Sequence, residues 1–183
     1  VQVQRQRLHS ALATSVMVSP LLYRLVWLGL VLLSLQVLLG GWVSTNYAVL
    51  ACNTFPQCQG SWWPMMDFAQ GFTLWRHLGM NALGEPLTFE SLTAIHYAHR
   101  LAAYAVLAYL GVLAWQLRRL AAYHSASRAL LAVLLLQLLT GLSNVVLDWP
   151  LVAAVLHTGG AAALLVILVG LLSGARVSRT VLN

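Results

Sequence analysis

Four separate runs of about twenty apolar residues dominate this chain, and each is long enough to cross bilayer hydrocarbon as a helix. They extend roughly over residues 22–44, 92–117, 129–147 and 151–173. The expected fold is an all-α integral membrane protein: a four-helix transmembrane bundle with a long first loop, about residues 46–91. Residues 1–21 then form an N-terminal flank, 22–174 the bundle and 175–183 a tail. Composition excludes an ordinary soluble domain, because 60% of residues are hydrophobic and 8% charged, against about 25% charged in soluble domains. All ten basic residues are arginines gathered at segment ends, so the net charge of +6 reads as membrane topology and not as nucleic-acid binding. The first twenty residues lack an initiator Met and do not read as a signal peptide. The chain is therefore expected to be a fragment or a processed piece.

Arg5, Arg7, Arg24, Arg118, Arg119, Arg128, Arg176 and Arg179 fall on one side of the four segments, and Asp67, Glu85, Glu90 and Asp148 on the other. This asymmetry puts both termini in the cytoplasm, with the long loop and the tight turn at Asp148-Trp149-Pro150 outside. Membrane lipid is the first expected partner. Trp62, Trp63, Met65, Met66, Phe68, Phe72 and Trp75 make the loop too aromatic for a solvated linker; it either lies at the lipid interface or packs on itself. Facing an oxidising space, Cys52 and Cys58 are expected to form a disulfide.

The sequence also carries a weak internal repeat. Gln36-Val-Leu-Leu-Gly40 near the end of the first segment corresponds to Gln137-Leu-Leu-Thr-Gly141 in the third, each followed by a polar patch and then by a helix with a deep histidine. Two related helix pairs would set those histidines in corresponding places.

Six histidines are present. His9 and His124 in the flanks and His77 in the loop read as surface residues. His96, His99 and His157 lie inside apolar segments, where an ionisable side chain is costly and is a functional candidate by default. His99 and His157 both sit about six or seven residues inside the outer ends of their helices, roughly 10 Å deep at 1.5 Å per residue. Ala102 and Ala103 follow His99, and Ala153, Ala154, Gly160 and Ala161 surround His157, at helical offsets of three and four. These small residues either clear space for a flat macrocycle or let helices approach closely. Zinc and copper usually require further ligands, and only His96 is available at this depth. A porphyrin brings four nitrogens of its own, so His99 and His157 suffice as axial ligands to a haem, whose six-coordinate iron suits electron transfer. A polar network without metal is the competing reading. His96 is rotated some 60° from His99 and so is expected beside the porphyrin edge and not on iron. Arg100 can pair with a propionate, snorkel, or donate to backbone carbonyls.

Taken together, Gly40-Gly-Trp-Val-Ser-Thr, Cys-Asn-Thr-Phe-Pro-Gln-Cys followed by Gly60-Ser-Trp-Trp-Pro64, Ile95-His-Tyr-Ala-His-Arg100, and Gly141-Leu-Ser-Asn-Val-Val with Pro150-Leu-Val-Ala-Ala-Val-Leu-His157 resemble haem A synthase, the membrane oxidase-assembly enzyme that converts haem O to haem A. The likeness runs from about Leu25 to Leu172 and is closest to the C-terminal half of a bacterial member. It implies two fused four-helix halves, of which this one carries haem b (iron protoporphyrin IX) between His99 and His157. The other half holds haem O and bears a Glu three residues before its ligand His; His96 stands at that position here. The resemblance thus implies a half that serves electron transfer, with no catalytic residue of its own, beside an N-terminal half or a second copy that oxidises the haem O methyl group to a formyl. It also implies the bacterial cytoplasmic membrane, with the long loop periplasmic. A stand-alone two-histidine cytochrome drawing electrons from quinol is the alternative function.

Overall fold

The computed structural model describes residues 16–177. His9, Arg5, Arg7 and Arg179 lie outside the described residues. Strand β1 (Val16–Val18) leads into helix α1 (Pro20–Thr45); the long loop carries the one-turn helix α2 (Phe68–Gly71); α3 (Phe89–Leu117), a 3-10 turn at Ala121–Tyr123, α4 (His124–Val146), α5 (Leu151–Gly174) and strand β2 (Ala175–Val177) follow. α1, α3, α4 and α5 are each long and apolar enough to cross a membrane, which is the expected four-helix architecture. The two short strands pair in parallel, Val16 with Ala175 and Val18 with Val177, and add a small ribbon that the apolar pattern did not announce.

Local chemistry sets the helix ends. The Ser19 hydroxyl accepts from Leu22 N and Pro20 occupies the first turn of α1, where a missing N–H costs nothing. Thr88 caps α3 by accepting from Ser91 N, with Glu90 in the first turn to complement the helix dipole. Between α4 and α5 the chain reverses in four residues, with Asp148 and Trp149 both at positive φ (51° and 62°), a conformation uncommon for non-glycine residues. Trp149 N closes the turn on Asn144 O.

The helices form a ring in which α1 and α4 each pack on both α3 and α5. α3 and α5 therefore stand on one diagonal of the bundle and α1 and α4 on the other. Toward the terminal end the interior is a continuous apolar core of Val26, Leu33, Leu110, Leu113, Leu130, Leu134, Leu164 and Leu168. Tyr109 Oη donates to Leu25 O and Ser127 Oγ to Ala114 O, tying α3 to both of its neighbours. Outward, the helices present Leu35, Leu38, Val112, Leu135, Val155 and Val166. So much exposed apolar surface on all four helices has its natural solvent in lipid.

Candidate functional site

The apolar core stops short of the loop end of the bundle, and there the interior turns polar. One stripe of α3, Thr93, His96, Tyr97 and Arg100, recurs at helical spacing and faces the long loop. Gln59 Nε2 donates to Thr93 Oγ1 at 2.8 Å, and Tyr97 Oη donates to Trp62 O. His96 Nδ1 lies 2.9 Å from Ala48 O; a carbonyl only accepts, so this nitrogen carries the proton. Arg100 donates to Thr54 O at 2.7 Å, Gln57 O at 2.9 Å and Cys52 O at 3.0 Å. Of the three uses open to Arg100, bonding to backbone carbonyls is the one observed. The segment it holds is closed by a disulfide between Cys52 and Cys58, and both cysteines are buried beside Tyr97.

His99 and His157, on diagonal helices, turn away from the loop and meet their surroundings in matching ways. A Cβ added to Gly40 of α1 would come 3.1 Å from His99 Cε1, and one added to Gly141 of α4 would come 3.1 Å from His157 Cε1. Each imidazole thus lies against bare backbone of the preceding helix, five residues before that helix ends at Thr45 or Val146. One turn earlier a glutamine crosses over: Gln36 Nε2 donates to His99 O at 3.0 Å and Gln137 Nε2 to His157 O at 2.8 Å. The Gln-x-x-x-Gly repeat is a structural unit, and it places the two histidines at corresponding levels. Its role was the feature missed in sequence: the repeat was visible, but the seat it makes for each imidazole was not.

The rings are held differently. Thr140 Oγ1 is 2.9 Å from His157 Nδ1. The Gln36 amide nitrogen is 3.0 Å from His99 Nδ1 and 3.5 Å from Nε2; a donor in the ring plane at Nδ1 would be far from Nε2, so this amide lies over the ring face. Both rings are half-buried. His77 and His124 are exposed, as expected. At Gly160 an added Cβ would collide with the Gln137 amide, so this small residue serves close approach and does not clear space.

A metal held by His99 and His157 would have to bring its remaining ligands with it, as a haem does. Among the described residues no group of three or more His, Cys, Asp or Glu side chains gathers as a metal cluster, and the two seated imidazoles come from helices on one diagonal of the bundle. His157 is engaged at Nδ1 by Thr140 with no bond recorded at Nε2, an arrangement compatible with metal ligation that His96, bonded at Nδ1 to Ala48 O, shares.

Residues 2–169 match the family model of the cytochrome oxidase assembly protein. The chain is 39% identical over 134 residues to a heme A synthase of Shewanella oneidensis, covering 73% of this chain and 41% of that protein. It is 31% identical over 146 residues to a heme A synthase of Bradyrhizobium sp. strain ORS 278, covering 78% of this chain and 37% of that protein. No solved structure matches significantly. The chain thus spans about two fifths of the length of these relatives. With a match over nearly its whole length, it belongs to the cytochrome oxidase assembly protein family.

Proposed function

We propose that this chain is the haem b-carrying half of a haem A synthase, with His99 and His157 as axial ligands. The observation that carries the reading is the pair of matched seats: two imidazoles on diagonal helices, each laid on a glycine and each with its backbone carbonyl held by a glutamine. When bound, the haem would supply one-electron transfer. The residues of the chain orient the ligands and hold the loop. Arg100 ties the disulfide-closed segment to α3, and His96 ties down the start of the loop at Ala48, both within one turn of His99. Oxidation of the haem O methyl group belongs to an N-terminal half. The relatives, all heme A synthases more than twice as long as the matched region, support that division. The division of arginines supports both termini inside, and the bacterial origin of both relatives supports a bacterial cytoplasmic membrane setting.

Expression in a host that lacks haem A synthase, alone and with an N-terminal half, tests the reading through the haems extracted from the purified protein. The chain alone is expected to retain haem b with a low-spin spectrum, and haem A is expected only with the second half. Haem-free protein would overturn the proposal, and so would haem A made by the chain alone.

A further inference from the structure

Thr140 is the residue at which the two halves of the repeat part company. Its hydroxyl lies 2.7 Å from Leu136 O and 2.9 Å from His157 Nδ1. A hydroxyl has one proton and a carbonyl can only accept, so both contacts are hydrogen bonds at once only when that proton goes to Leu136 O and the hydroxyl oxygen accepts from Nδ1–H. The proton of His157 is thereby fixed on Nδ1, and the lone pair on Nε2 is left free. In the first helix pair the corresponding residue is Leu39, which offers no acceptor, and the amide of Gln36 meets the ring from its face.

We propose that Thr140 is a positioning residue that makes the two ligands unequal: it fixes the tautomer and ring angle of His157 and makes it the stronger donor, while His99 has no such partner. This rests on the two-histidine haem reading. A hydrogen bond accepted from the distal ring nitrogen raises the basicity of a ligating imidazole. A stronger donor favours the ferric state, so removing the acceptor raises the reduction potential.

The test uses the purified membrane protein with its haem, read by redox titration of the α band and by low-temperature EPR of the ferric form. Thr140→Val is expected to keep low-spin haem but to shift the potential upward and displace the low-field EPR signal, whereas Thr140→Ser retains the wild-type values. Leu39→Thr is the converse. Gly40 and Gly141 approach the same ring atom at the same distance, so a hydroxyl at position 39 reaches His99 and the potential falls. If Thr140→Val keeps the wild-type potential and EPR signal, the proposal is overturned; if that variant does not accumulate, the absence of a downward shift in Leu39→Thr overturns it. Wild-type protein without a low-spin two-histidine spectrum is a different failure, and it removes the haem reading itself.

Discussion

The helix pair α1 and α3 and the helix pair α4 and α5 carry the same seat for a histidine but bridge their helices in different ways. The second pair turns in four residues, Leu147 to Pro150, while the first is joined by the whole loop between Asn46 and Thr88. His96 and Arg100, three residues before and one after His99, correspond to Ala154 and Thr158 around His157. Thr158 is exposed and bonds only to its own helix at Ala154 O. The histidine seat is therefore common to both pairs, and the extra polar side chains occur where there is a loop to hold. That correlation assigns His96 and Arg100 to the loop more firmly than their nearness to His99 assigns them to the haem.

The comparison breaks most completely if the two histidines are not equivalent partners of one group. His99→Ala and His157→Ala are each expected to abolish the low-spin spectrum or empty the protein of haem, and the double variant to lose no more than either alone, because one missing ligand already opens the site. Absorption spectra with haem-to-protein ratios check this. Low-spin, stoichiometric haem in either single variant would refute the shared site.

Next in size is the loop anchor. Arg100→Leu removes charge-assisted bonds to three carbonyls and leaves them short of donors, a cost of about 2–4 kcal/mol that falls on the loop. Limited proteolysis should cut between residues 46 and 88 far faster than in wild type, while Thr158→Ala at the corresponding place changes nothing. Equal protection in Arg100→Leu would return Arg100 to the propionate role.

A smaller effect is expected where the two seats match best. Gly40→Ala and Gly141→Ala each gain about 1 kcal/mol of helix propensity, but each brings a methyl group against an imidazole that iron would hold in place, an overpacking of about 1–3 kcal/mol. The loss should appear as faster haem dissociation, by similar factors in the two variants. Unequal factors would show that the seats are not equivalent in energy.

Much of this architecture was legible because lipid imposes simple rules. Apolar length alone marked α1, α3, α4 and α5, and the structure extends the estimated ends only as far as caps such as Ser19 and Thr88 allow. His99 and His157 stood out because imidazoles are rare in hydrocarbon. What stayed hidden depends on which way a side chain turns. His96, His99 and Arg100 lie within two turns of one helix, yet two face the loop and one faces α1, and apolar periodicity does not resolve such angles on a helix with polar residues on several faces. The β1 and β2 ribbon was hidden too, since three residues make no pattern.

The smallest expected effect distinguishes the pairs at one position three residues beyond each histidine, where α3 has Ala102 and α5 has Gly160. An alanine at 160 would press its Cβ into the Gln137 amide. That amide ends a flexible side chain and can swing aside, so the helix stays in place and the loss is the bond from Gln137 Nε2 to His157 O, about 1 kcal/mol. Alanine in place of glycine within a helix returns about the same amount, and thermal stability should change little. The change should appear at the histidine: with its carbonyl released, His157 is held by Thr140 alone, and the ferric EPR signal of Gly160→Ala should broaden while Ala102→Gly leaves it unchanged. A Gly160→Ala protein with an unbroadened signal would mean that Gln137 is not needed to hold His157, and the glutamine would drop out of the shared seat.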